Sequence, residues 1–452
     1  MREILKAFTK TVSGTAISLV IGSLSVKIIA SILGPAGMGL YSILRQIHST
    51  TMIAATMGGQ TALVQGGASR QDEDRDAYLK TVLILFIISA ALFSILLFIL
   101  APTLSLHLLN RQDEMAVTLI RGLAIPIFLT VITGYASGVL NIHRALGYMA
   151  LVQTLASVVT LALSYPVAMA VKSGYDLALL GIMTASQATS LGLFGFWLWR
   201  KKYLQPLLHN LRNSFDKVSA RYFFSFAGVT VVTSLFQSLI MLGIRGIIVQ
   251  KYSLAEVGIF DAAWTLCGTY LSLITGAFST YYLPTLSQLE DRQLIRNLMQ
   301  RTLLLIAIIS TIIIVGMICL KQQIVSLLFS HDFIPSLSLI RWLLIADYLK
   351  MLSFVLAFPM LAFTHLKLFF LTELLWNGGL MLGCYRSLTT STLHNLEGIG
   401  ISVLCCYASY LVFTLWFAWD KYKFLPSIST ASVSILGFLL VLATSAYTWN
   451  II

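Results

Sequence analysis

The chain has 452 residues, of which 58% are hydrophobic and only 11% charged, with a mean hydropathy of +0.86. Soluble domains carry about a quarter charged residues, so the composition excludes an ordinary soluble enzyme or binding module and indicates a polytopic membrane protein. The net charge of +12 would suit a nucleic-acid partner, but its placement along the chain, read below, argues against one.

A helix needs about 20 apolar residues to cross the hydrocarbon core. In chain order such runs fall near 11–33, 38–65, 81–101, 115–139, 149–171 and 177–199. A polar, basic stretch follows, RKKYLQPLLHNLRNSFDKVSAR (200–221). Six more runs lie near 222–250, 257–283, 302–320, 336–363, 368–388 and 397–419. After DKYKFLP there is one further run near 430–449, whose crossing of the bilayer composition alone leaves open. The first run is too long for the apolar core of a secretory signal and lacks a small-residue cleavage pattern, so it is expected to remain as a helix. Helices are expected throughout, because lipid tolerates no unpaired backbone groups and no ten-residue alternating segments occur. The expected fold class is therefore an all-α polytopic membrane protein. Its lobes are six helices in 1–200 and six in 222–420, joined by a basic cytoplasmic linker at 201–221, with an additional hydrophobic helix in 427–452.

Lysine and arginine set the orientation. With the N-terminus in the cytoplasm, inside segments carry nineteen of the thirty basic residues and outside segments five: Arg111, Lys172, Lys251, Lys321 and Arg386. The linker region contributes Arg200, Lys201, Lys202, Arg212, Lys217 and Arg221, and reads as a solvated loop or one that touches anionic lipid. This bias accounts for most of the excess charge without nucleic acid.

An internal repeat joins the halves. AGMGLYSIL (36–44) aligns without gaps on AEVGIFDAA (255–263), pairing Gly39 with Gly258, Tyr41 with Phe260 and Ser42 with Asp261. Six spans per half is an even number, so the halves are expected to share one orientation, related by a pseudo-two-fold axis along the membrane normal. Two like bundles of this kind suit alternating access.

Six cations fall inside apolar runs: Lys27, Arg45, Arg121, Arg245, Arg341 and Lys350. Burying one arginine at mid-span costs at least ~2.5–3.5 kcal/mol. For any single one, snorkelling to the interface is the bland alternative. Several at one level imply a wet, cationic cleft and hence an anionic cargo, for which the arginine fork suits phosphate oxygens. The acids in the spans are Asp261, Asp347 and Glu373. Asp347 and Lys350 share a helix face three residues apart and can form either a structural pair or a protonation switch. His48, one turn beyond Arg45, is a relay candidate or a histidine bonded to neighbouring polar groups. Gln46, Gln60, Gln65, Gln237 and Asn377 are candidates for cavity hydrogen bonding or for helix–helix contacts. Cys267, Cys319, Cys384, Cys405 and Cys406 lack metal spacing and read as small core residues. No metal, cofactor or catalytic residue is expected.

LGPAGMGLYSILRQI (33–47), EVGIF (256–260), TGAFSTYYLPTLSQL (275–289), ADYLK (346–350) and LTELLWN (371–377) give the chain a resemblance. From about residue 5 to 420 it resembles the Wzx-type flippases of lipid-linked oligosaccharides, in the multidrug/oligosaccharidyl-lipid/polysaccharide exporter superfamily, and most of all those of enterobacterial common antigen and O-antigen. The resemblance implies two six-helix lobes in a V around a cationic cavity. It also implies transfer of undecaprenyl-diphosphate-linked glycans from the cytoplasmic to the periplasmic leaflet of the bacterial inner membrane. Membrane lipids, a glycan polymerase and a chain-length regulator are the partners it suggests. By this likeness Lys27, Arg45 and Arg245 stand where such flippases have basic residues, Asp347 and Lys350 where they have GD-x-x-K, and Glu373 where they have an acid; the placement of charge in the spans adds Arg121 and Arg341 as candidates for holding the diphosphate, and Asp261 and His48 for ion coupling or gating. One departure concerns coupling: some relatives have an acid where Gly268 stands, whereas here the acid is about two turns upstream at Asp261. The segment after 426 lies outside the shared core. The competing readings are a drug exporter, a membrane-bound polymerase or ligase, and a non-transporting scaffold. A basic cleft repels cationic drugs, and the linker's single acid, Asp216, has no nucleophile–base pair beside it.

Overall fold

The computed structural model describes residues 2–203, 215–363, 365–390 and 396–449. Linker positions 204–214, including Arg212, lie outside the described residues, as does the end of the chain after 449. Among the described residues the fold is all helix, with twelve segments long and apolar enough to cross a bilayer.

The first helix, α1 (Arg2–Ala55), has 54 residues. Unbroken it would be about 81 Å long, against about 30 Å of hydrocarbon. Gly34 breaks it, with φ 65° and ψ −170°. That conformation is essentially restricted to glycine, and Pro35 follows with no N–H to give. The two arms correspond to the first two expected runs. A second break, with left-handed Met57 and Gly58, separates α1 from α2 (Gln60–Ala68). A Cβ on Gly59 would stand 2.0 Å from the Phe223 ring, so a close helix contact sets this break.

Next come α3 (Asp72–Leu104), closed by a π-helical turn at Ser105–Leu109, then α4 (Glu114–Gly122) and α5 (Ala124–Ile142). The single expected run 115–139 is thus two helices. Pro126 cannot donate to the carbonyl of Gly122, which frees the chain to turn at Leu123. The helices α6 (Leu146–Lys172), α7 (Ala178–Arg200) and α8 (Lys217–Lys251) follow. Beyond a two-residue break lie α9 (Leu254–Ala277), a π-helical segment Phe278–Tyr282, α10 (Leu283–Ser287), α11 (Arg292–Cys319) and the short α12 (Lys321–Leu328). The chain ends with α13 (Ser336–Ala362), α14 (Leu366–Thr389), α15 (Glu397–Tyr422) and α16 (Ile428–Trp449). The run near 430–449 is therefore a helix of spanning length.

Carried back to Gly34, the repeat alignment lands on Ser253, inside the break between α8 and α9. Both halves thus change direction at the same place in the repeat. Their internal packing also repeats: α3 on α5, α5 on α7 and α6 on α7 in the first, with α11 on α13, α13 on α15 and α14 on α15 in the second.

Contacts divide the chain into Met1–Ala255 and Glu256–Ile452. In the first unit α8 packs along α1, α2 and α3. Asp216, which caps α8, donates its backbone N–H to Thr81 Oγ1 at 3.0 Å. At mid-helix Gln46 Nε2 donates to Ser238 Oγ (3.0 Å), and Thr50 meets the same hydroxyl at 2.7 Å. Near its first turn, the Arg70 guanidinium sits between the rings of Tyr78 and Tyr222, 4.4 Å from each. In the second unit α13 is the central helix and is buried over most of its length.

The last helix is fastened by polar contacts at both ends. Gln300 of α11 accepts from Ser427 N–H (3.1 Å) and donates to Ser427 Oγ (2.6 Å) and to Thr430. At the other end Arg341 Nε donates to Ser445 Oγ (3.1 Å) and Lys321 Nζ to the Thr448 carbonyl (2.8 Å). Cations at a helix C-terminus complement its dipole. Burial, followed by the nearby Arg341 charge, pulls the Lys321 ammonium below the usual lysine range. Of the cysteines expected in the core, Cys267 and Cys384 are buried, whereas Cys319 and Cys405 lie on exposed faces of apolar helices. A thiol is apolar enough for either setting.

Candidate functional site

The first unit carries Lys27, Arg45, His48, Arg121 and Arg245. Lys27 is half-buried on the first arm of α1, seven residues before the Gly34 break. Arg45 is half-buried on the second arm, its guanidinium 6.0 Å from the Tyr41 ring one turn earlier. His48 Nε2 lies 2.9 Å from Thr130 Oγ1, and that hydroxyl gives its one proton to the Pro126 carbonyl at 2.7 Å. Thr130 is thereby left to accept from His48, which assigns the Nε2–H tautomer. Arg121 ends α4 with its guanidinium 4.5 Å from the Phe98 ring. Arg245, only 4% exposed, donates from Nη1 to the Met241 carbonyl at 3.3 Å. Gln46 serves the α1–α8 contact, while Gln60, Gln65 and Gln237 are exposed.

The second unit carries Asp261, Arg341, Asp347, Lys350 and Glu373. Asp261 on α9 is fully buried. Arg341 is engaged by Ser445 and lies 5.3 Å from the Trp342 ring. Asp347, Lys350 and Glu373 are brought into one cluster. Asp347, 4% exposed at the centre of α13, accepts from Tyr270 Oη of α9 at 2.7 Å, and Cys267 of α9 is buried. The Lys350 ammonium lies 5.0 Å from the Tyr407 ring of α15 and 5.7 Å from Phe354, within electrostatic reach of Asp347 and Glu373. Asn377 holds Glu373, donating to its carbonyl at 2.8 Å and to Oε2 at 3.4 Å. Asp347 and Lys350 thus share a helix face, as their spacing implies, and the hydrogen-bond partner of the carboxylate is the Tyr270 hydroxyl of a neighbouring helix. A low local dielectric strengthens each of these interactions.

Tyr270, Cys267 and Tyr407 were not among the sequence candidates. Tyr270 did carry a usable signal: a tyrosine inside an apolar helix needs a hydrogen-bond partner. Chemically the cluster offers one carboxylate with a phenolic donor, one ammonium held by aromatic faces, and a second carboxylate further off. It can exchange charge, but it presents no nucleophile activated by a base.

The fold is that of the transporters of this exporter superfamily. An inward-facing multidrug-resistance MATE transporter of the superfamily superposes with a TM-score of 0.73 at 14% identity, covering 91% of this chain and 98% of the other. The lipid II flippase MurJ in its inward closed conformation superposes with a TM-score of 0.69 at 13% identity, covering 98% and 97%. Residues 28–338 match the polysaccharide biosynthesis protein family, and the chain belongs to that family. It is similar to the lipid III flippase of Escherichia coli (strain K12), at 25% identity over 383 residues, 82% of this chain and 88% of the relative.

Proposed function

We propose that this protein is a flippase that moves a lipid-linked oligosaccharide across the membrane by alternating access through a cationic cavity. The observation that carries the reading is Arg45, a half-buried arginine on a membrane-spanning helix, in a chain similar to a lipid III flippase. The cargo's headgroup is taken to be an undecaprenyl diphosphate, bound by Lys27 and Arg45 with Arg121, Arg245, Arg341 and Lys350 as further candidates. The polyprenyl tail stays in lipid while the glycan is carried through, because each buried hydroxyl without a partner costs about 1–3 kcal/mol. The moving bodies are the lobes 1–200 and 222–420. Asp261, Asp347, Glu373 and His48 are the candidates for ion coupling, with the Tyr270–Asp347–Lys350 cluster the one best supported by geometry. An inner-membrane protein of O-antigen or related glycan assembly, with a cytoplasmic N-terminus and a polymerase and chain-length regulator as partners, is the setting that fits. No covalent step is required.

The test is to trap the precursor in membrane vesicles of each orientation. Loss of the protein should leave the lipid-linked glycan on the cytoplasmic leaflet with its chain length unchanged. Altered chain length with normal leaflet distribution would instead indicate a polymerase.

A further inference from the structure

Between α2, α5 and α6 of the first unit lies a cavity of about 480 Å³, lined by Gln60, Thr61, Gln65, Ser137 and Asn141 together with Val64, Gly138 and Met149. Its size is that of a small-molecule site, about 300–1,000 Å³. Gln60 lies about 12 Å by helical rise from the end of α2 and Gln65 about 4.5 Å, while Asn141 is one residue from the end of α5, so the cavity runs inward from one end of these helices. The spacing 60, 61, 64, 65 puts these residues on one helix face, and 137 and 141 share a face of α5. Gly138 makes this approach feasible, since a Cβ there would meet the Leu63 side chain at 2.4 Å.

Elsewhere in the spans hydroxyls fold back on the carbonyl one turn earlier, as Thr81 does on Ala77, Thr133 on Leu129 and Thr154 on Ala150. Among the described residues, none of the five polar side chains in this cavity has a hydrogen-bond partner within the protein. Three of them, Gln60, Thr61 and Gln65, are exposed. Amides and hydroxyls at membrane depth must meet water or a ligand. No lining side chain is charged, so the cavity lacks what a phosphate requires. Amide and hydroxyl groups that both donate and accept match the hydroxyls of a sugar ring.

We infer that the α2–α5–α6 cavity is a glycan subsite, which receives uncharged, polyhydroxylated sugar rings of the cargo through Gln60, Thr61, Gln65, Ser137 and Asn141. The inference rests on the flippase reading and deepens it: cations hold the headgroup, and this neutral pocket reads the sugar.

The test uses the full chain in lipid nanodiscs and two probes. One is undecaprenyl diphosphate without sugar; the other is the lipid-linked glycan extracted from membranes of the producing bacterium. The wild type should bind the glycan-bearing lipid about tenfold more tightly, the value of one or two net hydrogen bonds. The double variant Gln65→Leu with Asn141→Leu should lose that preference and keep its affinity for the bare carrier. Thr61→Ala with Ser137→Ala, a smaller truncation, carries the same expectation should the leucine pair not assemble. A preference that survives both variants, or a wild type that binds both lipids equally, overturns the subsite and leaves the flippase reading standing. A wild type that binds neither lipid overturns the flippase reading, and the subsite falls with it.

Discussion

The hydroxyl of Tyr270 stands 2.7 Å from Asp347 Oδ2 and ties α9 to the buried centre of α13. Tyr270→Phe removes the donor and keeps the ring. Leaving a buried carboxylate short of a hydrogen bond costs about 1–3 kcal/mol, so the variant should melt earlier in detergent and transport at least about tenfold more slowly. Asp347→Asn keeps the shape but takes the counter-charge from Lys350. It should abolish transport while normal amounts of protein remain in the membrane, and full flux in both variants would remove the cluster from the mechanism.

Arg45 lies on the second arm of α1, one turn from Tyr41. Arg45→Ala should stop transport with the protein still inserted. Arg45→Lys should restore only part of it, because an ammonium lacks the planar fork that pairs with two phosphate oxygens. Vesicle flux measured beside immunoblots of the membrane fraction separates loss of function from loss of protein.

The Gly34 backbone lies at φ 65° and ψ −170°. Gly34→Ala forces a Cβ into a region that costs of order 1–3 kcal/mol, although nothing stands within 4 Å of that Cβ. The loss should appear as a lower melting temperature caused by backbone strain, with no packing clash to relieve. A neighbouring substitution to a smaller side chain should therefore fail to rescue it.

Gly437 presents the opposite case. A Cβ there would stand 2.3 Å from Thr311 Oγ1 and 2.5 Å from the Tyr348 hydroxyl, which donates to the Ser434 carbonyl at 2.9 Å. Gly437→Leu should push α16 off α11 and α13 at a cost of about 1–3 kcal/mol. Faster proteolysis between 423 and 430 is the expected readout, and Tyr348→Phe should relieve part of it.

At one end of the first unit, Arg111 bonds Asp113 at 2.9 Å and Asp176 at 3.1 Å. The bond from Arg111 holds the Asp113 carboxyl below its ordinary range, helped by the Ala116 N–H that it caps. A depressed folded pKa stabilises above the unfolded value, about 3.9, and that contribution disappears as pH falls through the folded value. Amide protection at the start of α4, taken relative to the intrinsic exchange rate at each pH, should therefore be flat from neutral pH to about 4 and fall only below it. Asp113→Asn should show the lower protection at neutral pH as well.

The spans were legible because hydrocarbon thickness imposes a length that any apolar run must meet. The turn at Gly34–Pro35 was legible for the same local reason: one residue supplies the special dihedrals and the next cannot continue the helix. The break at Met57 and Gly58 was not, since it depends on Phe223 and Val231, more than 160 residues later in the chain. The site divides in the same way. Asp347 and Lys350 share a face by spacing alone, whereas Tyr270 reaches Asp347 from another helix. Composition marked Arg341 as a cation inside a span, but its engagement with Ser445 depends on a residue 104 positions later in the chain. Gln60 and Gln46 look alike in sequence; one is exposed and the other bridges to Ser238.

The docking of α16 has a consequence for biogenesis. This helix leaves the ribosome after α11 and α13, yet the Gln300 amide and the Tyr348 hydroxyl find their partners on it or just before it. A nascent chain stalled before residue 427 would hold these two groups, with Arg341 and Lys321, waiting for partners, a signature by which membrane quality control can tell an unfinished copy from a complete one.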